Sequence, residues 1–190
     1  MSTFAGVLVE APRRPPWYLA PFLWLTRTMT GKDPLPARLL TWFPKGAIGA
    51  GVFEVTAAGA PTDLDGRTLA VARIVSSAVA GCPFCLDMNA ATYQRAGLSL
   101  ADLQAAASLD ANRWNALGPR ESTAARYARA LSMTPVELDE ALAAELKATF
   151  DSRELVVLAS TIAQVNFWSR FNQGLGVPSA GFCAISYQGE

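Results

Sequence analysis

Histidine is absent from this 190-residue chain. That absence removes the Ser-His-Asp triad, the common zinc enzymes, His-ligated haem and any imidazole acid or base. Chemistry is left to thiols, carboxylates, hydroxyls and amides. Excess charge is lacking too. Sixteen Lys plus Arg balance sixteen Asp plus Glu without a long run of either sign, so nothing favours a nucleic acid or an anionic membrane. Cysteine is sparse and odd in number, at three. This argues against a disulfide-stapled extracellular scaffold and for a cytoplasmic, reducing setting. The apolar run at 17–25 is too short to span a bilayer and is interrupted by Pro21. Arg13 and Arg14 precede it, but no small-x-small cleavage pattern follows, which disfavours a secretory or twin-arginine address.

What is present is a core. Hydrophobic residues make up 51 % of the chain and charged residues 17 %, which is a globular composition and, at this length, most simply one domain. Residues 1–37 form a Pro- and Trp-rich arm expected to pack on the domain or on a neighbouring copy. Residues 38–178 form the domain, and 179–190 a tail. Alanine is abundant and the Val and Ile clusters follow helical spacing, so helices are expected almost throughout. The first, from about Asp65 to Ala80, puts Val71, Ile74, Val75 and Ala78 on one face and ends at Gly81. Pro83 opens a second that runs to about Ala96 and stops at Gly97. Further starts are expected at Ser99 with Asp102, near Pro119, at Thr134 to Glu137, and at Asp151 with Glu154. The last opens a helix over 154–174 that is apolar around much of its circumference and therefore central to a domain or an interface.

Gly81-Cys82-Pro83-Phe84-Cys85 is the chemically informative stretch. Two intervening residues bring both sulfurs within disulfide reach when the motif opens a helix, where free backbone N–H groups and the helix dipole favour thiolate. A zinc site would need two more ligands, and only Cys183 remains, so no metal and no cofactor is expected. Cys183 itself reads as a small packing residue. Inert buried thiols are the plain alternative to a redox pair.

The motif, together with Leu40-Thr41-Trp42-Phe43-Pro44-Lys45, the helix 67–80, and the later Arg153-Glu154-Leu155 with Asn166-Phe167 through Arg170, resembles the AhpD-like, carboxymuconolactone decarboxylase superfamily. The resemblance implies an all-α bundle around a helical hairpin carrying the cysteines, assembled as a homo-oligomer. It implies an oxidoreductase of the alkylhydroperoxidase type that reduces small organic hydroperoxides or exchanges disulfides, with a thiol electron donor. Cys85 would be the attacking thiolate and Cys82 the resolving thiol. Two positions depart from the family's pattern. Asn89 stands where the peroxidase members carry histidine, and Ala70 where they carry glutamate. Asparagine cannot exchange protons near neutral pH, so weakened peroxidase activity is expected. Glu54, in a segment expected to fold over the cysteine helix, is the best replacement carboxylate. Asp87 and Tyr93 are weaker, Asp87 because i and i+2 lie on different helix faces. Asn166 and Arg170 read as structural. The alternatives are a decarboxylase-like enzyme for a small acid or lactone, and a non-catalytic binding member.

Overall fold

A computed structural model describes residues 6–57, 59, 60 and 62–183. The described residues form helices joined by turns, without strands: α1 (Ala20–Thr30), α2 (Leu35–Leu40), α3 (Pro44–Ala57), α4 (Gly66–Val79), α5 (Pro83–Ala90), α6 (Leu100–Ala107), α7 (Pro119–Ser132), α8 (Glu140–Thr149) and α9 (Ser152–Gly174). The all-α expectation holds. Capping explains most of the boundaries. Asp65 caps α4, and Ser99 with Asp102 and Asp151 with Glu154 complete capping boxes on α6 and α9.

Two expected boundaries need correction. The helix opened by Pro83 stops at Ala90, and a short 3₁₀ turn at Tyr93–Ala96 leads to Gly97, whose φ of +76° closes the segment. The start expected at Thr134 lies instead at Asp139, whose carboxylate accepts the Leu142 N–H at 2.7 Å. A Thr-x-x-Glu spacing is a good cap only where the chain already turns, and here Asp139 supplies the stronger acceptor directly before Glu140.

The main core gathers Val71, Ile74 and Val75 of α4 with Ala124 and Ala128 of α7 and Leu158 and Ile162 of α9, all fully buried. Burial of each large aliphatic side chain contributes about 1.5–3 kcal/mol. Arg120 crosses the rim of this core. It donates to Asp65, Glu154 and the Thr149 carbonyl, tying the starts of α4, α7 and α9 together.

A smaller core lies at one end of α9. Leu39, Cys82, Phe84, Cys85 and Val177 are buried there, with Trp168, Phe171 and Phe182 packed against them. Helix α2 runs across positions 37 and 38, where Ala37 is buried, and Leu19 packs in a third buried group with Leu40, Ala47 and Ala50. Residues 179–183 fold back along α5, while 184–190 lie outside the described residues.

Candidate functional site

Gly81, with φ +67°, breaks α4 from α5 and turns the chain so that Cys82 caps the new helix. The Cys82 N–H donates to the Ser77 carbonyl at 3.1 Å. The Cys85 N–H donates to Cys82 Sγ at 3.2 Å, in the position a serine or aspartate cap would take. Pro83 fits the first turn because it has no N–H to leave unpaired. Both cysteines are free thiols, each 1 % exposed.

The pair is electrically asymmetric. The Cys85 thiol hydrogen-bonds to the Cys82 sulfur; burial opposes, the Cys85 N–H and then Ser169 and Asn172 assist, and the Cys82 thiol is drawn down to about 7. Cys85, acting as donor to that sulfur, buried and beside its charge, is pushed well up. The direction favours a thiolate on Cys82, whereas the resemblance implies one on Cys85.

Helix α9 supplies the polar surroundings. Asn172 Nδ2 donates to Cys85 Sγ at 3.4 Å, and Ser169 Oγ sits beside the sulfurs without completing a hydrogen bond of standard geometry. Asn172 Oδ1 is likewise buried and unpaired. One and two turns earlier, Trp168 Nε1 and Gln164 Nε2 donate to the Glu54 carboxylate of α3, at 2.7 and 2.5 Å. Gln164, Trp168 and Asn172 thus form an i, i+4, i+8 stripe that runs from the carboxylate to the sulfur.

Glu54 and Asn172 both line a cavity of about 120 Å³ whose remaining wall is almost wholly apolar, including Phe22, Phe84, Met88 and Trp168. The structure therefore brings Glu54 to the same cavity as the residue that holds Cys85. It does not bring Asn89 there. Asn89 Nδ2 donates to Ser77 Oγ at 3.0 Å, and Asn89 lines a second, larger cleft of about 590 Å³ with Ala70, Arg67, Arg73 and Arg95. Arg73 donates to the Gly59 carbonyl. Burial pulls its guanidinium down while the charge of Glu54 holds it up.

Asp87 has a structural task. Burial would raise its carboxyl, but N–H bonds from Cys183 and Phe182, the Ser179 hydroxyl and the Ala180 N–H outweigh this and hold it below the usual carboxylate range. It thereby clamps residues 179–183 against α5. Lys32 Nζ donates to the Ala180 and Gly181 carbonyls and lies 4.8 Å from the centre of the Phe182 ring, which packs edge-on against Phe84. Tyr93 packs on the main core. Asn166 and Arg170 donate to the Leu131 carbonyl and the Thr134 hydroxyl, in keeping with a structural reading.

Sequence reasoning missed Gln164, Trp168, Ser169 and Asn172. The four-residue spacing of Gln164, Trp168 and Asn172 was available, but on a helix this apolar a polar stripe gains meaning only once its partner α3 is in place. Among the described residues no group of three or more Cys, Asp and Glu could hold a metal ion, and no helix is long and apolar enough to cross a membrane.

No protein-family model matches the chain. A protein of Escherichia coli K12, uncharacterized protein YnjA, is 34 % identical over 125 residues; the match covers 66 % of this chain and 66 % of that relative's length. Among solved structures, a cysteine-to-alanine variant of the debrominase Bmp8 bound to 2,3,4-tribromopyrrole is similar with a TM-score of 0.77. It is 19 % identical, with 95 % of this chain and 96 % of that one covered. A candidate antioxidant defence protein of the AhpD type from Agrobacterium tumefaciens is similar with a TM-score of 0.66 and 18 % identity, over 74 % of this chain and 94 % of that one.

Proposed function

We propose that this chain, whose fold is like that of the AhpD-type and peroxidase-related proteins, is a dithiol oxidoreductase that reduces small apolar hydroperoxides through Cys82 and Cys85. The observation that carries this reading is the buried cysteine pair at a helix start, with the Cys85 N–H on Cys82 Sγ and the Asn172 amide on Cys85 Sγ, beside an apolar cavity. A thiolate attacks the distal peroxide oxygen. Cys82 becomes the sulfenic acid, the O–O bond breaks, and the alkoxide takes a proton to leave as alcohol. The Cys85 thiol then attacks the sulfenic sulfur, forming the Cys82–Cys85 disulfide and releasing water. A thiol donor, small or protein-borne, returns the two electrons. On this reading Glu54, a carboxylate on the cavity wall, relays a proton to the departing alkoxide. The polar shell of Ser169 and Asn172 supports this reading over inert packing thiols, which need no such neighbours.

A second reading has one observation in its favour, the likeness in fold to a debrominase bound to a halogenated pyrrole. There the same thiolate would take bromine from a ring carbon as that carbon gains a proton, and Cys85 would then expel bromide as the disulfide forms.

The two separate in one experiment. The reduced protein is mixed with one equivalent of cumene hydroperoxide or of a bromophenol, and free thiols are counted. Loss of two thiols with the hydroperoxide supports the first reading. Loss with the bromophenol alone, with bromide released, supports the second, and loss with neither overturns both.

We also read the exposed stripe of Ile48, Val52 and Val55 along α3 as a contact between copies of this chain, since monomers rarely leave such a face open. Light scattering after gel filtration tests it; a monomeric mass at micromolar concentration overturns it.

A further inference from the structure

The balance of charge over the whole chain hides a local excess. Residues 11–32 contain Arg13, Arg14, Arg27 and Lys32 and no Asp or Glu, so the rest of this neutral chain is net acidic. Lys32 is engaged by the Ala180 and Gly181 carbonyls, but Arg13, Arg14 and Arg27 are exposed and form no ion pair among the described residues. Aromatic rings stand between them. Trp17 is 85 % exposed, Trp24 66 % and Tyr18 50 %, and neither indole N–H has a hydrogen-bond partner among the described residues. A single exposed ring needs no explanation, but two Trp and a Tyr interleaved with unpaired cations form a patch that does. Helix α1 divides its faces to match. Phe22, Leu25, Thr26 and Thr30 line the small cavity, while Ala20, Pro21, Trp24, Arg27 and Thr28 are exposed.

Charge decides what covers that outer face. A second copy in a two-fold contact would set these cations against their own kind, an objection that does not touch the uncharged stripe of Ile48, Val52 and Val55 on α3. An anionic lipid surface supplies the missing negative charge. Its headgroup layer is also the half-apolar, half-wet setting in which Trp and Tyr settle. We propose that the exposed face of residues 13–27 is a docking surface for an anionic lipid bilayer, with Trp17 and Trp24 lying at headgroup level. The contact is interfacial, since no helix among the described residues is long and apolar enough to cross a membrane. Resting on the dithiol reading above, this sets the α1 wall of the cavity at the lipid boundary, where apolar hydroperoxides collect.

Co-sedimentation of the reduced full-length protein with vesicles tests this. Vesicles of phosphatidylcholine and phosphatidylserine at about two to one should hold it about tenfold or more tightly than phosphatidylcholine alone, because each basic side chain near an anionic surface is worth roughly fivefold. Salt at about 0.5 M should erase the difference. Arg13→Glu combined with Arg14→Glu should also erase it, and Trp17→Ser combined with Trp24→Ser should weaken binding to the mixed vesicles about tenfold. All four side chains are exposed, so neither pair of changes disturbs the core. Equal binding to both kinds of vesicle, binding to neither, or unaltered binding by either double variant overturns the proposal. Absence of vesicle binding together with a smaller mass of the tryptophan variant on gel filtration assigns the face to a second copy instead. Because binding is read without turnover, a failure of the redox reading leaves this result standing, and the reverse also holds.

Discussion

Two cavities touch α5, and their chemistry is opposite. The smaller is apolar and carries one carboxylate and one amide, with the cysteine pair behind Asn172. The larger is open and fronted by arginines, and it includes both positions, Ala70 and Asn89, where the resemblance implies a proton relay. Arg67 in that cleft is committed to Glu121 and Asp102, and Arg73 to a carbonyl. On the proposed reading, the acid–base side of the site lies on α3 and α9 and not on the α4–α5 hairpin, because Glu54, Gln164, Trp168 and Asn172 are the polar side chains gathered there.

The sharpest way to break this comparison is Cys82→Ser. It should abolish hydroperoxide-driven thiol loss entirely, whereas Cys85→Ser should still consume one equivalent and stop at a sulfenic acid that dimedone traps. The reverse pattern would restore Cys85 as the thiolate. In the unaltered protein, the ultraviolet absorbance of the Cys82 thiolate should rise to half its maximum near pH 7, because its thiol is lowered to about 7 and the thiolate fraction grows as pH climbs through that value.

Glu54→Gln comes next. Removing the only carboxylate among the residues lining the smaller cavity should slow turnover by about 10²-fold, the ordinary cost of losing a positioned acid. Stopped-flow rates at saturating hydroperoxide decide it, and an unchanged rate would place the proton source elsewhere.

Asp87→Asn should leave chemistry nearly intact and loosen the tail, at about 2 kcal/mol for hydrogen bonds to a charged group. Asp87 is depressed in the folded state, so its contribution is present above the unfolded value near 3.9 and fades as pH falls through the lower folded value. The gap in Tm between the two proteins should accordingly be wide at pH 7 and close in acid. Smallest of all, Asn89→Ala should change turnover by about twofold or less, since its amide serves Ser77 in the other cavity. A large loss there would return the relay to the α4–α5 hairpin.

Legibility in the sequence followed range. Gly81, the Cys82 cap, Pro83 and the Ser99 and Asp151 capping boxes are local, and residue types within four positions of one another decide them. Glu54 was a plausible candidate because its segment precedes α4 and was expected to fold over the cysteine helix, yet its partners Gln164 and Trp168 lie 110 and 114 residues away. No local pattern reports such a pairing. Asn89 was placed beside the cysteines by helical spacing from Cys85, and spacing was right about the helix. It could not foresee Ser77 across the hairpin, nor that Asn172 would reach the sulfur first.

Lys32 grips the Ala180 and Gly181 carbonyls across sequence separations of 148 and 149 residues, and Leu8 pairs with Leu175 beside them. Closing so large a loop costs chain entropy that only late contacts repay. The cover over the cysteines is thus expected to be the last part of the molecule to assemble during folding. On refolding, helical signal should return before the thiols become protected from alkylation, so a newly made chain passes through an interval in which its dithiol stands open to oxidants of any size.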